Sequence, residues 1–69
     1  MSNAADINRK LIYLRGGKTR AEVAEALGIG VTTLTMYELG YRTPRDEIKV
    51  RIARYYGVTV GWLFYGEEA

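Results

Sequence analysis

Apolar residues recur along this chain at helical spacing and nowhere alternate as a half-buried strand requires. Ile7, Leu11, Ile12 and Leu14 anchor a first predicted helix over residues 5–15. Val23, Ala24 and Leu27 share one face of a second, which opens at Thr19 and is stopped by Gly28, a residue suited to the left-handed conformation that ends helices. Thr19 and Glu22 have the spacing of a capping box, in which each side chain satisfies a free amide of the other residue. A third helix over residues 31–39 buries Leu34 and Tyr37 and stops at Gly40. Ile29 is the one apolar residue in the turn between the second and third helices. A turn this short can set two helices near perpendicular only if a side chain plugs the corner, so Ile29 is expected to point inward. Ile48, Ile52 and Tyr56 repeat every four residues on a fourth helix, which Gly57 closes. Its expected start has Thr43 as cap, Pro44 in the first helical position and Asp46 at the positive end of the dipole. Thr59 caps a short fifth helix carrying Trp62, Leu63 and Phe64. The chain reads as all-α and five-helical, with no repeat, low-complexity run or linker.

The segment from Thr19 to Gly40 thus reads as a helix-turn-helix whose second helix is free of packing obligations on one side. Val31, Thr32, Thr35 and Met36 remain outside and form one stripe that a helix could lay into a DNA major groove. Val31 and Met36 can meet a thymine methyl, and the hydroxyls of Thr32 and Thr35 can donate or accept toward either base type. None offers the bidentate fork of Arg, Asn or Gln, so direct readout is expected to be modest. On its own such a stripe is also compatible with a weakly amphipathic surface or a protein contact.

Charge favours the nucleic-acid reading. The chain carries ten Lys and Arg against eight Asp and Glu, a formal charge of +2. That small excess is unevenly placed. Arg20 opens the second helix, and Arg42 and Arg45 bracket the segment after the third, where phosphates on either side of a groove would run. Thr33 is a fourth expected phosphate contact. Glu22 and Glu25 lie one turn apart on the second helix, and Glu67 and Glu68 fall at the end of the chain, so the net charge understates the local field.

Three ordered blocks resemble the Cro/cI-type helix-turn-helix repressors of bacteria and phages, the xenobiotic-response-element family. They are Thr-Arg-Ala-Glu-Val-Ala-Glu-Ala-Leu-Gly-Ile at 19–29, Tyr-Glu-Leu-Gly-Tyr-Arg-Thr-Pro at 37–44 and Ile-Ala-Arg-Tyr-Tyr-Gly-Val-Thr-Val at 52–60. The resemblance runs from about residue 7 to residue 66. It implies a compact, five-helix, lambda-repressor-like DNA-binding domain, with Val31, Thr32, Thr35 and Met36 facing bases. Arg20 stands where the family commonly has a Gln touching phosphate or the first base pair. Gly30 replaces the usual Ser or Thr cap of the reading helix, and Leu39 the usual Asn before Gly40. Arg15 matches the family arginine that pairs with a glutamate at the end of the third helix, here Glu38. A partly buried Arg15–Glu38 ion pair is therefore expected.

At 69 residues the chain is one domain, of a size that buries only about 60% of its unfolded surface, so a partner would help its stability. Residues 5–66 form the expected domain, after an N-terminal tail at 1–4, native or left by cloning, and before an acidic tail at 67–69. Tyr55, Tyr56, Trp62, Phe64 and Tyr65 place five of eight aromatic residues in the last two helices. Either they complete the core, or Tyr55, Trp62, Phe64 and Tyr65 form a homodimer surface. A two-fold pair would present its reading helices about 34 Å apart, matching successive major grooves. The chain resembles a Cro-sized stand-alone regulator or a fragment of a larger one. With no His and no Cys, it lacks the commonest general base, soft-metal ligands and a thiol nucleophile, and Gly16-Gly17-Lys18-Thr19 lacks the rest of a P-loop. No enzyme activity, cofactor, metal or small-molecule ligand is expected. Nor is a membrane partner: a cytoplasmic, nucleoid-associated location is expected in the absence of a signal peptide or apolar span. The rival reading is a protein-binding module on the same fold, such as an antirepressor, an antitoxin or an adaptor.

Overall fold

In the computed structural model, which describes residues 4–67, the chain forms α1 (Ala4–Arg15), α2 (Arg20–Leu27), α3 (Val31–Leu39), α4 (Asp46–Tyr56) and α5 (Val60–Tyr65). Most of the N-terminal tail and the end of the acidic tail lie outside the described residues. There is no strand among the described residues. Helix α3 packs on α1 and α2, α5 on α1 and α4, and α2 also on α4.

Each helix contributes to one core. Leu11 of α1, Val23, Ala24 and Leu27 of α2, Leu34 and Tyr37 of α3, Ile52 of α4, and Leu63 and Phe64 of α5 are buried together. Ile7, Leu14, Ile29 and Ile48 pack against this cluster from its edges. Ile12, expected as an anchor, is instead exposed. It follows Leu11 by one residue, about 100° round the helix, and α1 is covered by neighbours on one side only. Phe64, open in the sequence between core and dimer surface, is only 3% exposed and belongs to the core. The turn of α5 that follows the Thr59 cap directs it inward beside Leu63.

Side chains from distant elements secure the helix ends. Thr19 Oγ1 accepts from the Glu22 amide at 3.1 Å, and Thr59 Oγ1 accepts from the Trp62 amide at 3.0 Å. Arg51 of α4 donates to the Leu27 carbonyl at 2.9 Å, supplying the cation that the last turn of α2 lacks. Lys10 of α1 does the same for α5 by donating to the Trp62 carbonyl. The start of α4 departs from expectation: Arg45 rather than Thr43 is the N-cap, and it makes no side-chain capping bond. Pro44 is buried before the helix begins. Asp46 and Glu47 stand in the first turn, where negative charge is favoured by the helix dipole.

The element that orients α3 is polar. Glu38 lies four residues after Leu34, on the same inward face, and its side chain is 0% exposed. Arg15 Nε donates to Glu38 Oε2 at 2.8 Å, and Arg20 Nε donates to Oε1 at 2.9 Å. One carboxylate therefore ties the end of α1 and the start of α2 to α3. The hydrogen bond to Glu38 raises the pKa of Arg15 above its usual value, against an opposing effect of burial. Close by in electrostatic terms, the Tyr56 hydroxyl is buried with no hydrogen-bond partner among the described residues. Burial first, then the charge of Glu38, pushes its pKa up from 10.0 to about 12.

These contacts give two expectations. Glu38→Leu leaves two arginines without their partner and should cost about 3 kcal/mol in urea unfolding. Arg15→Met should cost less, because Arg20 still holds the carboxylate. For Tyr56, the unfolded chain ionises near pH 10 and the fold near pH 12, so folding stability should fall as pH rises through that window. Thermal melts of Tyr56→Phe should lack this alkaline loss, and at neutral pH the variant should match or exceed the parent, since it removes an unsatisfied buried hydroxyl.

Candidate nucleic-acid interface

Between α2 and α3 the backbone turns at Gly28, whose φ of 72° is left-handed and whose amide reaches back to the last turn of α2. Ile29 is half-buried against the core, closing the corner. Gly30 then caps α3 in extended conformation, without a side-chain bond. At the far end Gly40 takes a φ of 83°. There the close approach of α1 adds a second constraint: a Cβ on Gly40 would lie 2.5 Å from Asn8 Nδ2. The turn before α3 at Gly28 and its far end at Gly40 thus both use left-handed backbone that favours glycine.

With Leu34, Tyr37 and Glu38 turned inward, the opposite side of α3 is left uncovered. Val31 is 46% exposed, Thr32 is exposed, and Thr35 and Met36 are half-buried. Thr35 Oγ1 donates to the Val31 carbonyl at 2.9 Å. Its hydroxyl proton is therefore committed to the helix, and toward a base edge it acts as an acceptor. The stripe is apolar at both ends with hydroxyls between them, and it carries no charge.

Beside this stripe an open groove of about 270 Å³ runs between the turn, α3 and the segment leading into α4. Thr33, Arg42 and Arg45 all line it, together with Gly30 and Thr43. Arg42 and Arg45 are exposed and take part in no ion pair among the described residues. Arg20 is placed differently. Its side chain is 35% exposed, and its Nε is engaged by Glu38, so it is a structural cation as well as a surface one. Family resemblance points to one arginine for Glu38, Arg15, and misses the second. The available signal is that a carboxylate on the buried face of α3 requires compensation, and that Arg20, as the first residue of α2, starts beside it. Glu47, on the wall of the groove, also went unremarked in the sequence, where it reads as an ordinary first-turn acid.

On α4 and α5 the aromatic residues carry lysines. Lys10 Nζ sits 4.5 Å from the Trp62 ring centroid, Lys18 5.1 Å from Tyr55, and Lys49 4.7 Å from Tyr65. Lys49 also donates to the Tyr65 hydroxyl at 2.9 Å. Tyr55 and Trp62 are half-buried and Tyr65 is 51% exposed. Between them, Gly57, Val58, Thr59 and Trp62 line a largely apolar open groove. No group of His, Cys, Asp or Glu able to hold a metal occurs among the described residues, and none of their helices is long and apolar enough to cross a membrane.

The model of the family described as Helix-turn-helix matches residues 10–63 of the chain. The chain is 35% identical over 65 residues to the HTH-type transcriptional activator BcrR of Enterococcus faecalis, covering 91% of this chain and 32% of that protein. It is 36% identical over 47 residues to the cryptic phage CTXphi transcriptional repressor RstR of Vibrio cholerae, covering 68% of this chain and 42% of that protein. The chain thus spans less than half the length of either relative. No solved structure gives a significant match.

The two glycines that bound α3 should respond oppositely to a side chain. Gly30 has an ordinary φ of −74°, and an added Cβ would come no closer than 3.8 Å to Thr33 Oγ1. Gly30→Ser should therefore gain a few tenths of a kcal/mol from a new cap, about 1–3 °C in melting temperature. Gly40→Ala should lose about 1–2 kcal/mol from its left-handed backbone, while the Asn8 side-chain amide moves aside. Calorimetry of both variants checks the pair.

Proposed function

This chain belongs to the helix-turn-helix family of the Cro/cI type, and from that membership we propose that it is a repressor that occupies operator DNA as a homodimer, with α3 in the major groove. That it is a DNA-binding transcription regulator follows from the family and from the relatives it matches. One of those relatives is named an activator and the other a repressor. Repression is the simpler mechanism, because covering a promoter requires nothing beyond binding.

The observation that carries the reading is the placement of α3. Its inner face is locked by Glu38, while its outer stripe stands beside a groove holding two arginines that have no ion-pair partner among the described residues. In this proposal Val31, Thr32, Thr35 and Met36 meet base edges, with Val31 and Met36 against thymine methyls, the Thr35 hydroxyl as an acceptor and the Thr32 hydroxyl as either donor or acceptor. Thr33, Arg42 and Arg45 grip the phosphate backbone beside them, and the outer edge of Arg20 adds a contact at the start of α2. A stripe without a bidentate residue leaves much of the specificity to DNA shape and deformability. The domain at residues 5–66 does this work, at the nucleoid in the cytoplasm.

The homodimer would form through Tyr55, Trp62 and Tyr65 around the apolar groove at Val58, without Phe64. Two copies so related would set their reading helices about 34 Å apart, one helical turn of DNA.

The deciding experiment is binding to a randomised duplex pool at rising salt, followed by sequencing of the retained fraction. A two-fold-symmetric motif with half-sites about one turn apart is expected. In the same assay an Arg42→Ala, Arg45→Ala double variant should lose affinity and about two units of salt slope, one per phosphate contact. An unchanged slope would remove these arginines from the interface. Absence of any duplex binding near physiological salt would favour the protein-binding module instead.

A further inference from the structure

The groove beside α3 contains one group that opposes its apparent purpose. Arg42 and Arg45 line it, and α4 begins at its edge with no side chain capping its first amides, so two guanidinium charges and the positive end of a helix dipole converge there. Glu47, in the first turn of α4, lines the same groove. Its neighbour Asp46 is 95% exposed and lies 3.8 Å from Lys49 Nζ. Glu47 has no ion-pair partner among the described residues, so neither arginine is locked to it and its charge acts on the groove as a whole.

We propose that Glu47 is a resident anion of the phosphate groove, an affinity-setting residue that opposes any backbone phosphate entering beside Arg42 and Arg45. The proposal rests on the reading of that groove as a phosphate site. The physical case is one of balance. Backbone contacts supply essentially all of the affinity for non-specific DNA, and they are blind to sequence. A chain whose base-facing stripe is only Val, Thr, Thr and Met gains little from direct readout, so an unopposed cationic groove would hold it on any duplex. A carboxylate in the groove lowers that sequence-blind attraction while leaving both arginines free to move. The groove is open to solvent, with about 270 Å³ accessible where about 10–15 Å³ on the same measure holds one water, so a phosphate oxygen and its waters can enter beside the carboxylate.

The test measures binding of a random-sequence duplex by fluorescence anisotropy across a salt series, with a thermal melt of each variant. Glu47→Gln should tighten binding roughly fivefold at low salt, with the gain shrinking as salt rises. Glu47→Asp, which keeps the charge, should stay near the parent. Glu67→Gln makes the same change in net charge on the tail that lies against Gly61 of α5, and it should also stay near the parent. A shift in melting temperature alone, with affinity unchanged in Glu47→Gln, would assign Glu47 only to the start of α4 and overturn the proposal. Equal tightening by Glu67→Gln would make the effect one of net charge and overturn it too. The Arg42→Ala, Arg45→Ala double variant separates the two levels. If it weakens binding while Glu47→Gln changes nothing, the groove is a phosphate site without this role for Glu47. If it binds like the parent, the phosphate reading and the proposal fall together.

Discussion

A single buried carboxylate fixes the orientation of the exposed helix. Glu38 accepts from Arg15 and Arg20 at the same time, one arginine per oxygen, and so joins the end of α1 and the start of α2 to the last turn of α3. A fully buried charge is tolerable only when it is paired and hydrogen-bonded. That requirement fixes geometry more narrowly than apolar packing does. Leu34 could roll by some degrees and still be buried, whereas two hydrogen bonds of 2.8 and 2.9 Å allow little rotation of α3 about its axis. Whatever α3 presents to solvent is presented at a set angle because of this contact.

The same electrostatic division organises the surface. Arg15 and Arg20 are drawn toward the interior by Glu38, while Arg42 and Arg45 stay outside on the groove next to α3. The lysines have other partners: Lys10, Lys18 and Lys49 lie on the rings of Trp62, Tyr55 and Tyr65, where their stems cover aromatic surface that a domain this small cannot bury. Arg42 and Arg45 thus stand beside the exposed stripe of α3 with no ion-pair partner among the described residues. A net charge of +2 conveys nothing of this arrangement.

The helix ends show how little of the scaffold is purely local. Thr19 and Thr59 cap their own helices, but α2 is finished by Arg51 from α4 and α5 by Lys10 from α1. These long-range caps place cations at the negative ends of dipoles and simultaneously set how the helices lie on one another. They support the core formed by Leu11, Leu27, Ile52 and Leu63 by satisfying carbonyls that the fold would otherwise leave unpaired.

The five helices, the turn at Gly28 to Gly30 and the inward face of α3 were legible in the sequence, because apolar spacing, Thr caps and left-handed glycines act over a few residues and leave a local trace. The base-facing stripe followed as the complement of what α3 buries, and the pairing of Arg15 with Glu38 came from resemblance to a family. Other features were decided only when the elements met. Ile12 was left outside and Phe64 taken inside because each depends on which side of its helix a neighbour covers. Thr43 does not cap, because Pro44 is buried ahead of the helix and α4 begins only at Asp46, two residues too late for it. Arg20 acquired a structural partner, and Arg42, Arg45 and Glu47 came to share one groove. Sequence by itself thus determined that five helices form, about where they run and most of the face that each buries, since those depend on local backbone and solvent. Tertiary structure alone decided which charges meet and which remain free, since pairing depends on distances between segments that the order of residues does not encode.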